Sequence, residues 1–354
     1  MPGMKLFAAT AIGSVPYKDP KEAVDSMREL HIPAYPQMVG LSPWEDMFLG
    51  ALEGLPGLIV DRKTQTVRAR RANRENELAD FYAAFLKGER DFLALAPGFS
   101  RGFEAFLKRA AQDPTYGPDF LKIQVIGPLT FGQMVLMEDE AGSLVDDLEL
   151  LEVMALALGG KASWEASKIR ALGRTPVVFI DEPGLTSFGS AFSTLTADTV
   201  VKTMGSACET VRADGSALIG CHVCGNTDWG LMMDTDIDIV NFDAFAVMEQ
   251  FSLYPKQIRA FLERGGYIAW GIVPSQGFSF DLTAEFLADK LDGGWRGLDR
   301  KGVPYELLAS RAVLATACGL GMLKPNEALA ATSMTTAVSR EMSARTKGLL
   351  KSAS

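Results

Sequence analysis

Three side chains dominate the chemistry this sequence can offer: His222, Cys224 and Cys318. The first two lie in Gly220-Cys221-His222-Val223-Cys224-Gly225. The run Ala217-Leu218-Ile219 leads in; it is short, apolar and stopped by glycine, as a buried strand entering a loop would be. Residues two apart on a strand share a face, so His222 and Cys224 project together. One imidazole beside one thiolate is half of a zinc site. The chain has only two histidines in 354 residues, so placing one there by accident is less likely than usual, although a lone His-x-Cys is a weak pattern. A buried cysteine next to a satisfied core histidine would read the same way. The elements that carry the third group have to decide.

The strand pattern brings that third group in. Residues 7–12 read as a first strand ending at Gly13-Ser14, and 33–40 as a second that contains Gln37. Further strands are expected at 120–126, 175–180, around His222, at 237–243, at 267–273 and at 311–317. Helical spacing falls between them, at 21–30, 76–111 with a break near Pro97-Gly98, 144–172, 197–212, 255–264, 284–291 and 325–350. A polar, glycine-rich connection is expected after 291, and a hairpin at 57–67. Eight strands alternating with helices predict an α/β protein, a (β/α)8 TIM barrel, with an open doubly wound sheet as the competitor. The polar residues favour the barrel. Ser14, Gln37, Asp181-Glu182, His222 with Cys224, Asp243 and Cys318 all follow strands, and a barrel gathers those ends on one face. No linker or repeat interrupts 1–354, so one domain with an N-terminal excursion is expected.

Composition narrows the partners. Apolar residues make up 47% and charged residues 22%, a balance suited to a globular fold. The net charge is -9 and the basic residues form no long cluster, which argues against nucleic acid or an anionic membrane surface. No apolar run approaches the ~20 residues a membrane span needs, and residues 6–12 are too few for a signal peptide. Four cysteines in a chain this long are expected reduced, in the cytoplasm.

Within the expected barrel mouth, His222, Cys224 and Cys318 converge from two strands. Cys224 and Cys318 are 94 residues apart, unlike the paired Cys-x-x-Cys units of a structural zinc ribbon. Scattered ligands suit a catalytic metal with one exchangeable position. Cys221 points the other way and Cys208 lies on a helix; both are expected to pack. Two thiolates and a neutral imidazole leave zinc with a net charge near zero. Such a centre generates hydroxide poorly but holds a third thiolate well, because coordination removes a thiol proton outright. Activation of a thiol for alkyl transfer follows. Asp181 and Glu182 place two candidate catalytic carboxylates in the same mouth, suited to an α-ammonium or to capping the next helix. Ser14, after Gly13, offers a hydroxyl and nearby N–H groups to a carboxylate, or makes an ordinary turn.

The motifs Ile12-Gly13-Ser14-Val15-Pro16, Ile126-Gly127-Pro128-Leu129-Thr130, Phe179-Ile180-Asp181-Glu182-Pro183, His222-Val223-Cys224 and Cys318-Gly319-Leu320 occur in that order. Together they resemble the C-terminal zinc barrel of cobalamin-independent methionine synthase, over about residues 7–345. They also resemble the superfamily that barrel shares with uroporphyrinogen decarboxylase. The resemblance implies zinc on His222, Cys224 and Cys318, with homocysteine sulfur as exchangeable ligand. It implies too that Ser14 and Asp181 hold the amino-acid part; Gly13 and Gln37 join them as candidate substrate contacts.

There are departures. The folate-binding N-terminal barrel of the full-length family has no counterpart in this sequence. The family's zinc-binding glutamate falls at Asn241-Phe242-Asp243, and its histidine proton donor at Gly271-Ile272-Val273-Pro274-Ser275. Asp243 is therefore the expected fourth zinc ligand of the resting site, or an acceptor for a ligand's N–H. Tyr35-Pro36-Gln37 and Cys224-Gly225-Asn226-Thr227-Asp228-Trp229 resemble a short single-barrel group. That group implies a methylated corrinoid, such as methylcobalamin or a corrinoid protein, as methyl donor. The expected activity is methyl transfer from a corrinoid to a thiol, with homocysteine giving methionine. The alternatives are another thiol such as coenzyme M, a uroporphyrinogen decarboxylase-like enzyme, or a non-catalytic corrinoid- or zinc-binding barrel.

Overall fold

The computed structural model describes residues 4–95, 98, 100–191 and 193–347. Its strands are β1 (Ala8–Ala9), β2 (Leu58–Asp61), β3 (Thr66–Ala69), β4 (Phe120–Ile126), β5 (Leu136–Met137), β6 (Thr175–Asp181), β7 (Leu218–Val223), β8 (Ile239–Phe242), β9 (Tyr267–Val273) and β10 (Ala312–Thr316). Seven pair in parallel, in the order β1-β10-β9-β8-β7-β6-β4. β2 and β3 form the expected hairpin, which β5 extends into a separate small sheet.

Residues 33–40 close the sheet between β4 and β1 without becoming a continuous strand. The Tyr35 N–H donates to Lys122 O at 2.8 Å and the Lys122 N–H to Pro33 O at 2.9 Å. On the other side, Val15 N–H donates to Gln37 O and Gln37 N–H to Gly13 O, both at 2.8 Å. Pro33 and Pro36 have no N–H, so a regular ladder cannot run through them. The result is an eight-segment (β/α)8 barrel, as the strand pattern predicts.

The helices are α1 (Pro20–Ser26), α2 (Glu75–Leu86), α3 (Arg101–Gln112), α4 (Pro128–Met134), α5 (Leu148–Ala171), α6 (Ala197–Ala213), α7 (Trp229–Asp234), α8 (Ala244–Phe251), α9 (Pro255–Glu263), α10 (Ala284–Arg300), α11 (Tyr305–Ser310) and α12 (Pro325–Thr346). Of the expected break at Pro97-Gly98, Pro97 lies outside the described residues, as does the end of the expected C-terminal helix at 348–350. The run expected at 76–111 is divided, as expected, into two helices, α2 and α3, with the break wider than the sequence suggests. α10 continues through the stretch expected as a glycine-rich connection. The reason is packing: Leu291, Trp295 and Leu298 are buried at helical spacing and outweigh the propensity cost of three glycines. Gly159 likewise sits inside an unbroken α5, where a Cβ would meet Ala207 O of α6 at 2.8 Å. The four short helices α4, α7, α8 and α11 had no counterpart in the periodicity, which needs more residues than they contain.

Alternation along the strands sorts the barrel interior into two layers. The lower layer is apolar, with Phe120, Val177, Phe179, Ile239, Ala269 and Val313 among its members. Above it on the same faces stand Lys122, Gln124, Asp181, His222 and Asn241, all buried. A register shift between Ala315 and Thr316 turns the Thr316 hydroxyl to accept from the Ile12 N–H at 3.1 Å. Cys221, of opposite parity to His222, packs in the shell between sheet and helices.

Candidate metal centre

The ends of β7 and β10 deliver the centre, and β6 and β8 flank His222. In the parallel register Asp181 of β6 faces His222 of β7, and His222 faces Asn241 of β8. Cys224 lies one residue beyond the end of β7, where its parity with His222 is kept. Cys318 comes from the loop after β10, which is tied down by the Ala317 N–H donating to Val273 O at 2.7 Å and the Leu320 N–H to Ser14 O at 2.8 Å. The His222 ring nitrogen and the Cys224 and Cys318 sulfurs all lie within 4.8 Å of one another. They open into a cavity of about 400 Å³ whose wall also includes Ser14, Gln37 and Asp181.

His222 is buried, and burial pushes its pKa down to about 4, with the Asn241 hydrogen bond opposing; the ring is neutral at pH 7. Its Nδ1 lies 2.6 Å from Asn241 Oδ1, and its Nε2 has no partner. The hydrogen bond from Cys318 lowers the Cys224 thiol to about 7, while Cys318, as donor beside a thiolate, is held well above the usual thiol range. A neutral imidazole with a buried, unused lone pair facing two thiols, one readily ionised, fits a zinc ion.

The remaining candidates divide. Asp181 is buried in the same cavity with Oδ1 unpartnered, and desolvation raises its pKa, opposed by the Lys122 ammonium. Glu182 turns away. Its carboxylate accepts from the Leu129 N–H at 3.0 Å and from the Thr130 N–H and Oγ1–H at 2.7 and 2.6 Å. It thus caps α4, the helix after the preceding strand, rather than the one that follows it. The Ser14 side chain leans over Gly319, where a Cβ would overlap its hydroxyl. Gly13 offers room rather than a contact, since a Cβ there would fall 1.5 Å from Gln124 Nε2. Asp243 caps α8 by accepting from the Ala246 N–H at 2.9 Å, and its oxygens are not part of the cluster around His222.

Sequence reasoning passed over Asn241, Lys122 and Gln124. Lys122 Nζ donates to Gln124 Oε1 at 2.8 Å and stands 4.3 Å from the centre of the Phe179 ring; Gln124 Nε2 donates to Tyr35 O at 2.9 Å. The signal was present: three polar residues inside strands that are otherwise apolar, each at the parity of the interior face.

No described sequence family and no curated relative matches the chain. Among solved structures it is similar to a Listeria monocytogenes protein provisionally described as a vitamin-B12-independent methionine synthase. That match has TM-score 0.55 and 14% identity over 97% of this chain and 99% of the other. It is also similar to a GH113 β-mannanase from Alicyclobacillus acidocaldarius, at TM-score 0.46 and 13% identity over 96% and 97% of the two chains. At this distance the likeness to the Listeria protein establishes the barrel fold.

Proposed function

We propose that this protein is a zinc-dependent methyltransferase carrying a methyl group from a corrinoid to the sulfur of homocysteine, giving methionine. One observation carries the reading: His222 keeps a buried, unpartnered Nε2, and a nitrogen of its ring clusters with the Cys224 and Cys318 sulfurs at the C-terminal mouth of a barrel. His222, Cys224 and Cys318 would hold the zinc, which when bound would supply the Lewis acidity that keeps a substrate thiol deprotonated at neutral pH. With two thiolates and a neutral imidazole around it, a third thiolate is preferred over hydroxide.

The chain's own groups do the rest. Asp181 Oδ1 is free to accept the substrate ammonium, and the Ser14 hydroxyl faces the same cavity for its carboxylate. Ile12, Val39, Met47 and Pro183 give the cavity apolar walls that keep water from the nucleophile. The sulfur lone pair then forms the S–C bond as the methyl's bond to its donor breaks. Glu182 holds α4 rather than touching substrate. Asp181 also separates the candidate acceptors, because a buried carboxylate attracts the ammonium of homocysteine and repels the sulfonate of coenzyme M. Four free cysteines suit a reducing, cytoplasmic setting, with a corrinoid protein or free methylcobalamin as donor.

The test incubates zinc-loaded protein with methylcobalamin and either homocysteine or coenzyme M, and with methyltetrahydrofolate and homocysteine. Methionine from the first pair alone is the expected result. Turnover of the folate donor would overturn the donor assignment, and failure to methylate any thiol would overturn the reaction.

A further inference from the structure

The geometry points to Asn241 as a positioning residue that fixes the tautomer of His222 and makes Nε2 its metal-binding atom. This rests on the metal centre proposed above but not on the methyl chemistry. The argument starts from an acceptor that cannot donate. Asn241 Nδ2 lies 2.7 Å from the backbone oxygen of Ala269, so that end of the amide must be the NH2 group. The other end, Oδ1, is then an acceptor, 2.6 Å from His222 Nδ1. An acceptor at that distance requires the proton on Nδ1. A neutral imidazole protonated there carries its lone pair on Nε2, the atom left buried without a partner. Asn241, like His222, is wholly buried, and the β7–β8 register sets the two residues opposite each other. The chain Ala269 O, Asn241, His222 therefore spans three adjacent strands and aims one lone pair toward Cys224 and Cys318.

The inference has a second consequence. Asn241 spends its oxygen on His222, and Asp243 spends a carboxylate oxygen on the α8 cap. Strand β8 thus orients a ligand from behind, and with the Asp243 oxygens outside the cluster the position beside His222, Cys224 and Cys318 is open to the substrate thiol or to water. An outer partner of this kind typically changes metal affinity by about 10–100-fold.

The chain's two histidines make the test direct, because 15N-histidine labelling yields two rings and His31→Gln identifies the other. In metal-free wild-type protein, long-range 1H–15N correlation should show His222 protonated at Nδ1, and zinc should perturb its Nε2 resonance. Chelator competition should show zinc bound roughly 10–100-fold more weakly by Asn241→Ala, with a mixed His222 tautomer. Asn241→Asp, which keeps an acceptor toward Nδ1, should restore the tautomer and much of the affinity. A proton on Nε2 in the wild-type protein overturns the inference without any variant, as does unchanged zinc affinity in a folded Asn241→Ala. Methyl transfer with the wrong tautomer would sink this inference alone. Zinc on Nε2 without methyl transfer would sink only the reaction.

Discussion

The two ends of the barrel each hold one of the chain's two histidines, and the pair shows how the same residue is made structural or functional. Burial holds both rings neutral, with pKa values near 4; at His31 the Lys5 ammonium adds to the effect. At the N-terminal end, His31 Nδ1 accepts from the Ala9 N–H at 3.0 Å, and its Nε2, 2.9 Å from Lys5 Nζ, is not a buried orphan. At the C-terminal end, His222 uses one nitrogen on Asn241 and leaves the other unpartnered, in a ring that clusters with two sulfurs. Asp181 and Glu182 repeat the contrast one strand away: Glu182 is satisfied by three donors, while Asp181 keeps a buried oxygen open to the cavity. A buried polar atom without a partner costs stability and persists where a ligand completes it. In these two pairs the unpartnered atom, not the residue type, distinguishes the group that faces the cavity from the one that does not.

That contrast can be broken most forcefully at the histidines. His222→Ala should abolish stoichiometric zinc in the purified protein, whereas His31→Ala should keep about one zinc per chain by elemental analysis. Equal zinc in both variants would remove the distinction. The carboxylates give the next largest effect. Glu182→Ala strands three buried donors and should lower unfolding free energy by about 3 kcal/mol in urea titration, with a fall in zinc content no greater than the fall in folded protein.

Asp181→Asn should do the reverse, raising KM for homocysteine about 10–100-fold, the worth of one charge-assisted hydrogen bond, with the thermal midpoint almost unmoved. A large loss of stability with unchanged KM would place Asp181 in the scaffold with Glu182. The smallest effect concerns acid stability. His31 has a folded pKa near 4, below the ~6.5 of an unfolded histidine, so the unfolded chain binds the proton more readily. Its contribution is fully present above about pH 6.5 and is lost as pH falls toward 4. His31→Gln should therefore flatten the decline of stability over that window, read from melting curves at stepped pH. An unchanged acid limb would mean that His31 titrates as it does in the unfolded chain.

Much of this architecture could be read from residue order. The barrel strands from β4 onward are runs of apolar residues long enough to declare themselves, and their polar ends point to one face whatever the loops do. The shared face of His222 and Cys224 follows from a period of two, and so does the burial of Cys221 on the other side. The short helices and the broken second strand were less legible. The helices hold too few residues to show a period, and the second strand is held by isolated bridges around two prolines.

What the sequence by itself determined is a set of chemical types and their parity: imidazole and thiols on inward-facing strand ends, acids beside them, an interior apolar below and polar above. What only the tertiary structure decided is which of those atoms remain free. Asp181 and Glu182 are adjacent in the chain, yet one is taken by the N-terminus of α4, whose donors come from residues 129–130. Asp243 was claimed by the helix it starts, and Asn241 by a ring 19 residues earlier in the chain. Hydrogen-bond satisfaction is settled by contacts between segments remote in sequence, and no local pattern encodes who reaches a donor first.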